Sequence, residues 1–207
     1  MPRKPNPSTR SNLLEAAFAV IRTKGYAATT VDDICLAAGL SKGAFFHHFS
    51  SKEELAVAAA DHWSKVTAAM FEGAPYHQDS DPLARLLAYV EFRKFLIQGA
   101  LPEFTCLVGT MVQEAYTTSA AIQHACWSSI SGHAETLIAD ITAAMEQYGV
   151  KGGFTAQSLA LHTQAVIQGA FILAKASGDP RRAVESIEHL QRYLNLLFRS
   201  TINIEKH

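Results

Sequence analysis

The stretch Thr29-Thr30-Val31-Asp32-Asp33-Ile34-Cys35-Leu36-Ala37-Ala38-Gly39-Leu40-Ser41-Lys42-Gly43-Ala44-Phe45-Phe46-His47-His48-Phe49-Ser50-Ser51-Lys52 decides the fold. It reads as two short helices around a tight Gly39-Leu40 turn, the layout of a helix-turn-helix whose second helix enters the DNA major groove. Thr30 and Asp33 have the T-x-x-D spacing of a helix start. The hydroxyl can accept a free backbone N–H, and the carboxylate suits the positive helix end. Val31, Ile34 and Ala38 follow at helical spacing and bury one face. Gly39 comes next, where a residue of positive φ commonly closes a helix. Ser41 can cap the second helix, with Phe45 and Phe49 one turn apart on its inward face and Lys42, Ala44, Phe46, His47 and His48 left to face outward. Ser51 and Glu54 are spaced as a second capping box and start a third helix at Lys52. Upstream, Leu14, Phe18 and Ile21 share a face of a supporting helix over about 8–24. Capping boxes alone would also fit an ordinary αα-hairpin inside a helical bundle.

The residue-level pattern separates the two. Gly25-Tyr26 … Thr29-Thr30-Val31-x-x-Ile34-x-x-Ala37-x-Gly39-Leu40-Ser41-x-Gly43-Ala44-Phe45-x-x-His48-Phe49-x-Ser51-Lys52-Glu53-x-Leu55 resembles the N-terminal signature of the TetR-like repressors, in detail over about residues 8–58. The resemblance implies an obligate dimer, a three-helix DNA-binding domain and a larger helical domain that binds an effector. Its DNA-contacting positions would be Arg10, Thr29, Thr30, Ser41, Lys42, Gly43, Ala44, Phe46, His47, His48 and Lys52. Lys42 and Lys52 suit phosphates, His47 and Lys42 suit base edges, and Ala44 and Phe46 suit thymine methyls. Phe46 departs from the family, which usually has Tyr there with a hydroxyl on a phosphate.

The 207 residues suit one small and one medium domain, expected at 1–52 and 53–207. With 48% hydrophobic and 18% charged residues the composition is that of a folded, soluble protein. The net charge of −1 is unevenly divided: residues 1–52 hold seven Lys/Arg against three Asp/Glu, +4, and the rest hold eleven against sixteen, −5. Such a positive end attracts phosphates while the acidic remainder stays off the duplex. No apolar run reaches the roughly 18 residues of a membrane span. Met1-Pro2-Arg3-Lys4-Pro5-Asn6-Pro7 lacks the apolar core of a signal peptide and reads as a flexible basic arm. Three widely spaced cysteines form neither a disulfide framework nor a zinc site. A reducing cytoplasm is the expected compartment, with no metal or other cofactor.

Every proline falls where a helix breaks or starts, and no segment alternates with the period of a strand, so the expected fold is all-α. Asp81-Pro82 and Asp179-Pro180 each pair an N-cap with proline at the first helical position. The expected helices after the one from Lys52 to Phe71 lie near 82–99, 106–116, 119–148, 155–177 and 180–200, with a turn at Lys151-Gly152-Gly153-Phe154. Ala160, Ala165, Gly169, Ala170 and Ala174 are small residues at helical spacing, and Leu190, Tyr193, Leu194, Leu197 and Phe198 form an apolar face. The resemblance implies that these two last helices pair across a two-fold axis; the alternative is that both faces pack inside one subunit.

Cys106 follows Pro102-Glu103-Phe104-Thr105 at the start of a helix, where partial positive charge favours the reactive thiolate. Lys175, ending the apolar stretch Gly169-Ala170-Phe171-Ile172-Leu173-Ala174, is a candidate to condense with or stabilise the sulfenic acid of an oxidised cysteine. The pair resembles the electrophile- and oxidant-sensing branch of the family (NemR-like), although Thr105 stands where that branch usually has Gly. The alternative is that Cys106 is a small buried hydrophobe. Cys35 and Cys126 read as packing. Candidate effector contacts are Trp63, Phe95, Phe104, Met111, Tyr116, Trp127, His162 and Gln168, each of which taken singly reads more readily as core. A DNA-binding architectural protein without an effector is a second reading. An enzyme using Cys106 as nucleophile would need a base, and no motif ties His124, His133 or His162 to it.

Overall fold

The computed structural model describes residues 7–199; of the basic arm expected over residues 1–7, residues 1–6 lie outside the described residues and Pro7 begins the first helix. The chain is all-α, with no strand among the described residues. The helices are α1 (Pro7–Lys24), α2 (Val31–Ala38), α3 (Lys42–His48), α4 (Lys52–Glu72), α5 (Pro82–Phe95), α6 (Leu101–Phe104), α7 (Leu107–Ala115), α8 (Ala120–Glu135), α9 (Ile138–Gln147), α10 (Ala156–Ser177) and α11 (Arg181–Arg199), with a 3-10 turn at Pro75–Gln78. None is long and apolar enough to cross a membrane.

The chain divides into two compact units, one running through Ala69 and including Thr105–Ile130, the other holding Met70–Phe104 and the chain from Ser131 onward. The first unit thus holds α1, α2, α3 and most of α4, together with α7 and most of α8. Its core joins Leu13, Leu14, Ala17, Phe18 and Ile21 of α1 to Ile34 of α2 and Phe45 of α3, and adds Leu107, Val108 and Met111 of α7. In the second unit α5, α9, α10 and α11 pack on one another. Leu86, Tyr89 and Val90 of α5, Ile141 of α9, Ile167 and Ala170 of α10 and Leu190 and Leu194 of α11 are buried there.

Two expected helices differ. The segment 119–148 is not one helix: the Thr136 hydroxyl donates to the His133 carbonyl at 2.8 Å, and the Leu137 N–H bonds to Ala134 O at 3.0 Å. That i→i−3 bond tightens the chain and separates α8 from α9. The helix expected over 82–99 stops at Phe95, with the Gln98 side chain donating to the Phe95 carbonyl at 2.9 Å and Gly99 at φ 77°. The short α6 follows.

Much of the surface expected to pair subunits is occupied within the chain. Ala160, Ala170 and Ala174 of α10 and Leu190, Leu194 and Phe198 of α11 are buried inside the second unit. Of the expected residues, Ala165 and Tyr193 stay outward and Gly169 is half-buried; Ile172 and Leu173 on α10 and Leu196 on α11 are exposed beside them in sequence.

Candidate nucleic-acid interface

The local chemistry of α2 and α3 builds a rigid platform. Thr30 Oγ1 accepts the Asp33 N–H at 3.1 Å, and the Asp33 carboxylate accepts the Thr30 N–H at 2.7 Å, closing the expected capping box. Lys24 donates to the same carboxylate at 2.7 Å. That hydrogen bond, then those from Thr30, hold the Asp33 carboxyl well below the usual carboxylate range. Gly39 ends α2 at φ 65°, a left-handed conformation that costs a side chain about 1 kcal/mol or more. Ser41 Oγ accepts the Ala44 N–H at 3.2 Å and starts α3. Phe45 and Phe49 are buried with ring centroids 5.8 Å apart, and so fix which face of α3 points outward. The second capping box differs from expectation: Glu54 N donates to Ser51 Oγ, but the Glu54 carboxylate accepts from Ser50 N and Oγ.

The outward face carries Lys42, Gly43, Phe46 and His47, all exposed, with Ala44 and His48 half-buried. Phe46 is 55% exposed, a large apolar ring with no hydroxyl and no core to enter. The His47 and His48 rings lie 5.2 Å apart, edge to face. A Cβ on Gly43 would meet only Ser41 Oγ, at 3.7 Å, so the first turn of α3 is open to close approach. Lys42 pairs with Asp32 at 2.8 Å, and this hydrogen bond raises its pKa. Both side chains are exposed, so the pair is weak and a phosphate can take the ammonium. Arg10 is exposed on α1, its guanidinium 5.2 Å from the Phe49 ring centroid.

Two expected contact residues are engaged with the protein instead. Thr29 is buried and its hydroxyl donates to the Gly25 carbonyl at 2.6 Å, closing the turn after α1. Lys52 donates from Nζ to Tyr26 O at 3.0 Å and Thr29 O at 2.9 Å, and sits 4.3 Å from the Tyr26 ring centroid. Burial lowers its pKa, and its ammonium is engaged by two carbonyls of the turn before α2, of which Tyr26 O also accepts the Thr29 N–H. Thr30 and Ser41 face outward but use their hydroxyls as caps.

The effector candidates fall in both units. Cys106, Trp63, Met111, Tyr116 and Trp127 belong to the first, and Lys175, Phe95, Phe104, His162 and Gln168 to the second. Cys106 is the N-cap of α7, half-buried, with Sγ accepting the Gly109 N–H at 3.4 Å. The preceding Thr105 is buried and its hydroxyl finds no partner among the described residues. Trp63 packs edge-on to Phe18 and under Arg22. Met111 is core; Tyr116 and Trp127 are exposed. In the second unit, Phe95 is exposed beside Phe92, Phe104 packs 5.9 Å from Phe171, and His162 packs on Tyr193. Lys175 and Gln168 are half-buried on α10. Burial pushes the Cys126 thiol up to about 12 and also raises that of Cys35, in keeping with packing roles.

Sequence reasoning missed a polar chain in the second unit. Gln164 Nε2 donates to Tyr89 Oη at 2.9 Å, and Tyr89 Oη lies 2.9 Å from His133 Nε2. Burial, then the charge of Arg93, push the His133 imidazole down to about 3. The Tyr89 hydroxyl, donating a hydrogen bond to the neutral ring, completes the chain. Arg93, four residues after Tyr89, lies 5.2 Å from the Phe71 ring centroid and 5.8 Å from that of Phe171.

Residues 13–59 match the family of bacterial regulatory proteins described as the tetR family. The HTH-type transcriptional repressor KstR2 of Mycobacterium tuberculosis is 50% identical over 48 residues, 23% of this chain and 24% of that protein. The match therefore spans about a quarter of that curated relative. A TetR-family regulator from Agrobacterium tumefaciens has the same fold at a TM-score of 0.79 and 24% identity, covering 91% of this chain and 98% of that one. E. coli NemR in its reduced form follows at 0.76 and 19% identity, covering 89% and 96%.

Proposed function

We propose that this chain, TetR-like in the sequence of its helix-turn-helix and in its fold throughout, is a dimeric transcriptional repressor that works in the cytoplasm on double-stranded operator DNA and is released by a small effector. In this reading residues 1–52 are the DNA-binding domain and 53–207 the effector-binding and dimerisation domain. The observation that carries it is the outward face of α3. Lys42, Phe46 and His47 stand exposed on a helix whose other face is locked by Phe45 and Phe49. A phosphate donor, an apolar ring and a base-edge donor on one short helix match what major-groove readout requires.

Dimerisation is supported by the outward stripe on the last two helices. Leu173 and Leu196 are 55% and 66% exposed, costly for a lone chain and suited to burial against a second copy. The test joins both parts: sedimentation and DNA band shifts at rising salt, for the wild type and for Leu173→Glu with Leu196→Glu. The wild type should be a dimer whose affinity falls linearly in log–log with salt. The double variant should be a folded monomer with far weaker binding. A wild-type monomer with no DNA affinity in low salt overturns the reading.

Release through Cys106 is a second route, favoured by Sγ accepting the Gly109 N–H at the start of α7. Alkylation by N-ethylmaleimide forms one S–C bond, and the thiol proton ends on the neighbouring carbon. That adds bulk at a half-buried cap. If the wild type and Cys106→Ser lose DNA to the same degree, this route is absent. Loss in the wild type alone supports it, and the same loss in Lys175→Ala shows that the lysine is dispensable.

A further inference from the structure

We propose that Arg93 anchors a small organic monoanion, a carboxylate on an apolar or aromatic body, and that this is the class of effector the second unit binds. The inference rests on reading the chain as an effector-controlled regulator.

Arg93 is half-buried, yet among the described residues its guanidinium has no carboxylate and no hydrogen-bond acceptor. The contrast is Arg85, two turns earlier on α5. Arg85 donates to Asp140 Oδ1 at 2.9 and 2.7 Å and to the carbonyls of Asp79 and Ser80. A partly desolvated cation without a partner is costly, and the usual resolution is an anion. Phe71 and Phe171 hold the Arg93 guanidinium without using any of its N–H donors, leaving its fork free for a bidentate carboxylate.

The surroundings narrow the chemistry. Phe92 packs 5.5 Å from Phe71, and Phe104 packs 5.9 Å from Phe171, so the walls near the guanidinium are aromatic. The Arg93 charge acts on the His133, Tyr89 and Tyr76 side chains, all neutral, while Asp140, which also acts on Tyr76, is paired with Arg85. His133 stays unprotonated, and burial raises the Tyr89 and Tyr76 hydroxyls above their ordinary range. The Arg93 charge thus faces rings and neutral hydrogen-bonding groups, and the Asp140 charge beyond Tyr76 is already taken by Arg85. A monoanion balances the Arg93 charge. A dianionic phosphate would leave a charge uncompensated in an apolar site.

The test uses the full-length protein and reads thermal midpoints with benzoate, 3-phenylpropanoate and hexanoate, each against its neutral amide, and with inorganic phosphate. At least one carboxylate should raise the wild-type midpoint in a saturable way, while its amide and phosphate do not. Arg93→Gln should weaken that carboxylate by roughly tenfold to a hundredfold, and Arg93→Lys should recover part of it. Ligand-free midpoints show whether each variant folds, and the acid–amide contrast in the wild type needs no variant. Equal response to acid and amide, no response to any carboxylate, or full response in a folded Arg93→Gln overturns the inference. Band shifts run in parallel separate the two readings. A protein that holds DNA but ignores carboxylates keeps the regulator reading alone, and one that binds carboxylate through Arg93 but no DNA keeps this site alone.

Discussion

The carboxylate of Glu114, on α7, accepts the backbone N–H of Ala27, in the turn between α1 and α2, at 2.6 Å. The link spans 87 positions and lies wholly within the first unit. Glu53 at the start of α4 likewise accepts from the Ser119 hydroxyl just before α8. A helix far along the chain is therefore bonded directly to the turn that precedes the helix-turn-helix.

That relationship predicts the behaviour of Gly25. Its φ is 86°, and a Cβ there would run into the Glu114 carboxylate. Gly25→Ala should destabilise the protein by more than about 1 kcal/mol, from backbone strain and displaced Glu114 together. Glu114→Ala should cost about 1 kcal/mol, since the bond is charge-assisted but exposed. Urea denaturation of both variants checks this, and an unchanged midpoint in Gly25→Ala would show that the turn tolerates a side chain.

The two lysines of the helix-turn-helix should separate. Lys42→Ala should leave stability within about 0.5 kcal/mol of wild type, because its ion pair is exposed, and should reduce the salt slope of DNA binding by about 1. Lys52→Ala should instead lose about 1–2 kcal/mol of stability, since its ammonium bridges the Tyr26 and Thr29 carbonyls. Denaturation and salt titration of the pair read both quantities. Matching phenotypes would sink the distinction.

Acid stability should depend on His133. Its folded pKa, about 3, lies below the ordinary 6.5, so the unfolded chain binds the extra proton between those values. The contribution is intact above about 6.5 and is lost as pH falls toward 3, at up to about 1.4 kcal/mol per pH unit. His133→Gln should flatten the fall in thermal midpoint between pH 6 and pH 4. A parallel pH profile for wild type and variant would place the acid sensitivity elsewhere.

Thr105→Val should be neutral or stabilising by up to about 1 kcal/mol, because it removes a buried hydroxyl that lacks a partner among the described residues and keeps the shape. Calorimetry decides; a loss above 1 kcal/mol would mean that the hydroxyl is bonded in solution.

Features set by neighbours in sequence were legible. Thr30, Gly39 and Ser41 cap the helices they were read to cap, and Phe45 and Phe49 face inward as their one-turn spacing requires. What escaped depends on partners far along the chain. Lys52 reads as a surface cation until Tyr26 and Thr29 are folded against it, and Glu114 reads as a solvated charge until Ala27 arrives. The small residues of α10 were read as a surface that pairs subunits; Ala160, Ala170 and Ala174 are instead buried within the second unit, and only Ala165 and Gly169 keep any outward exposure, a division that local spacing does not reveal. Tyr89, His133 and Gln164 come from three helices, and no local spacing announces their hydrogen bonds.

The most direct test of the account is selection of binding sites from a random duplex library by the wild type and by His47→Ala. A dimer presenting two copies of α3 to successive major grooves should enrich an inverted repeat with half-site centres about 34–36 Å apart or slightly more. His47→Ala should keep the repeat and its spacing but change the preferred base at one position per half-site, by roughly 1–3 kcal/mol of discrimination. Failure of the wild type to enrich any sequence, or enrichment of a site without two-fold symmetry, would contradict the account. An identical consensus for the two proteins would remove His47 from base readout.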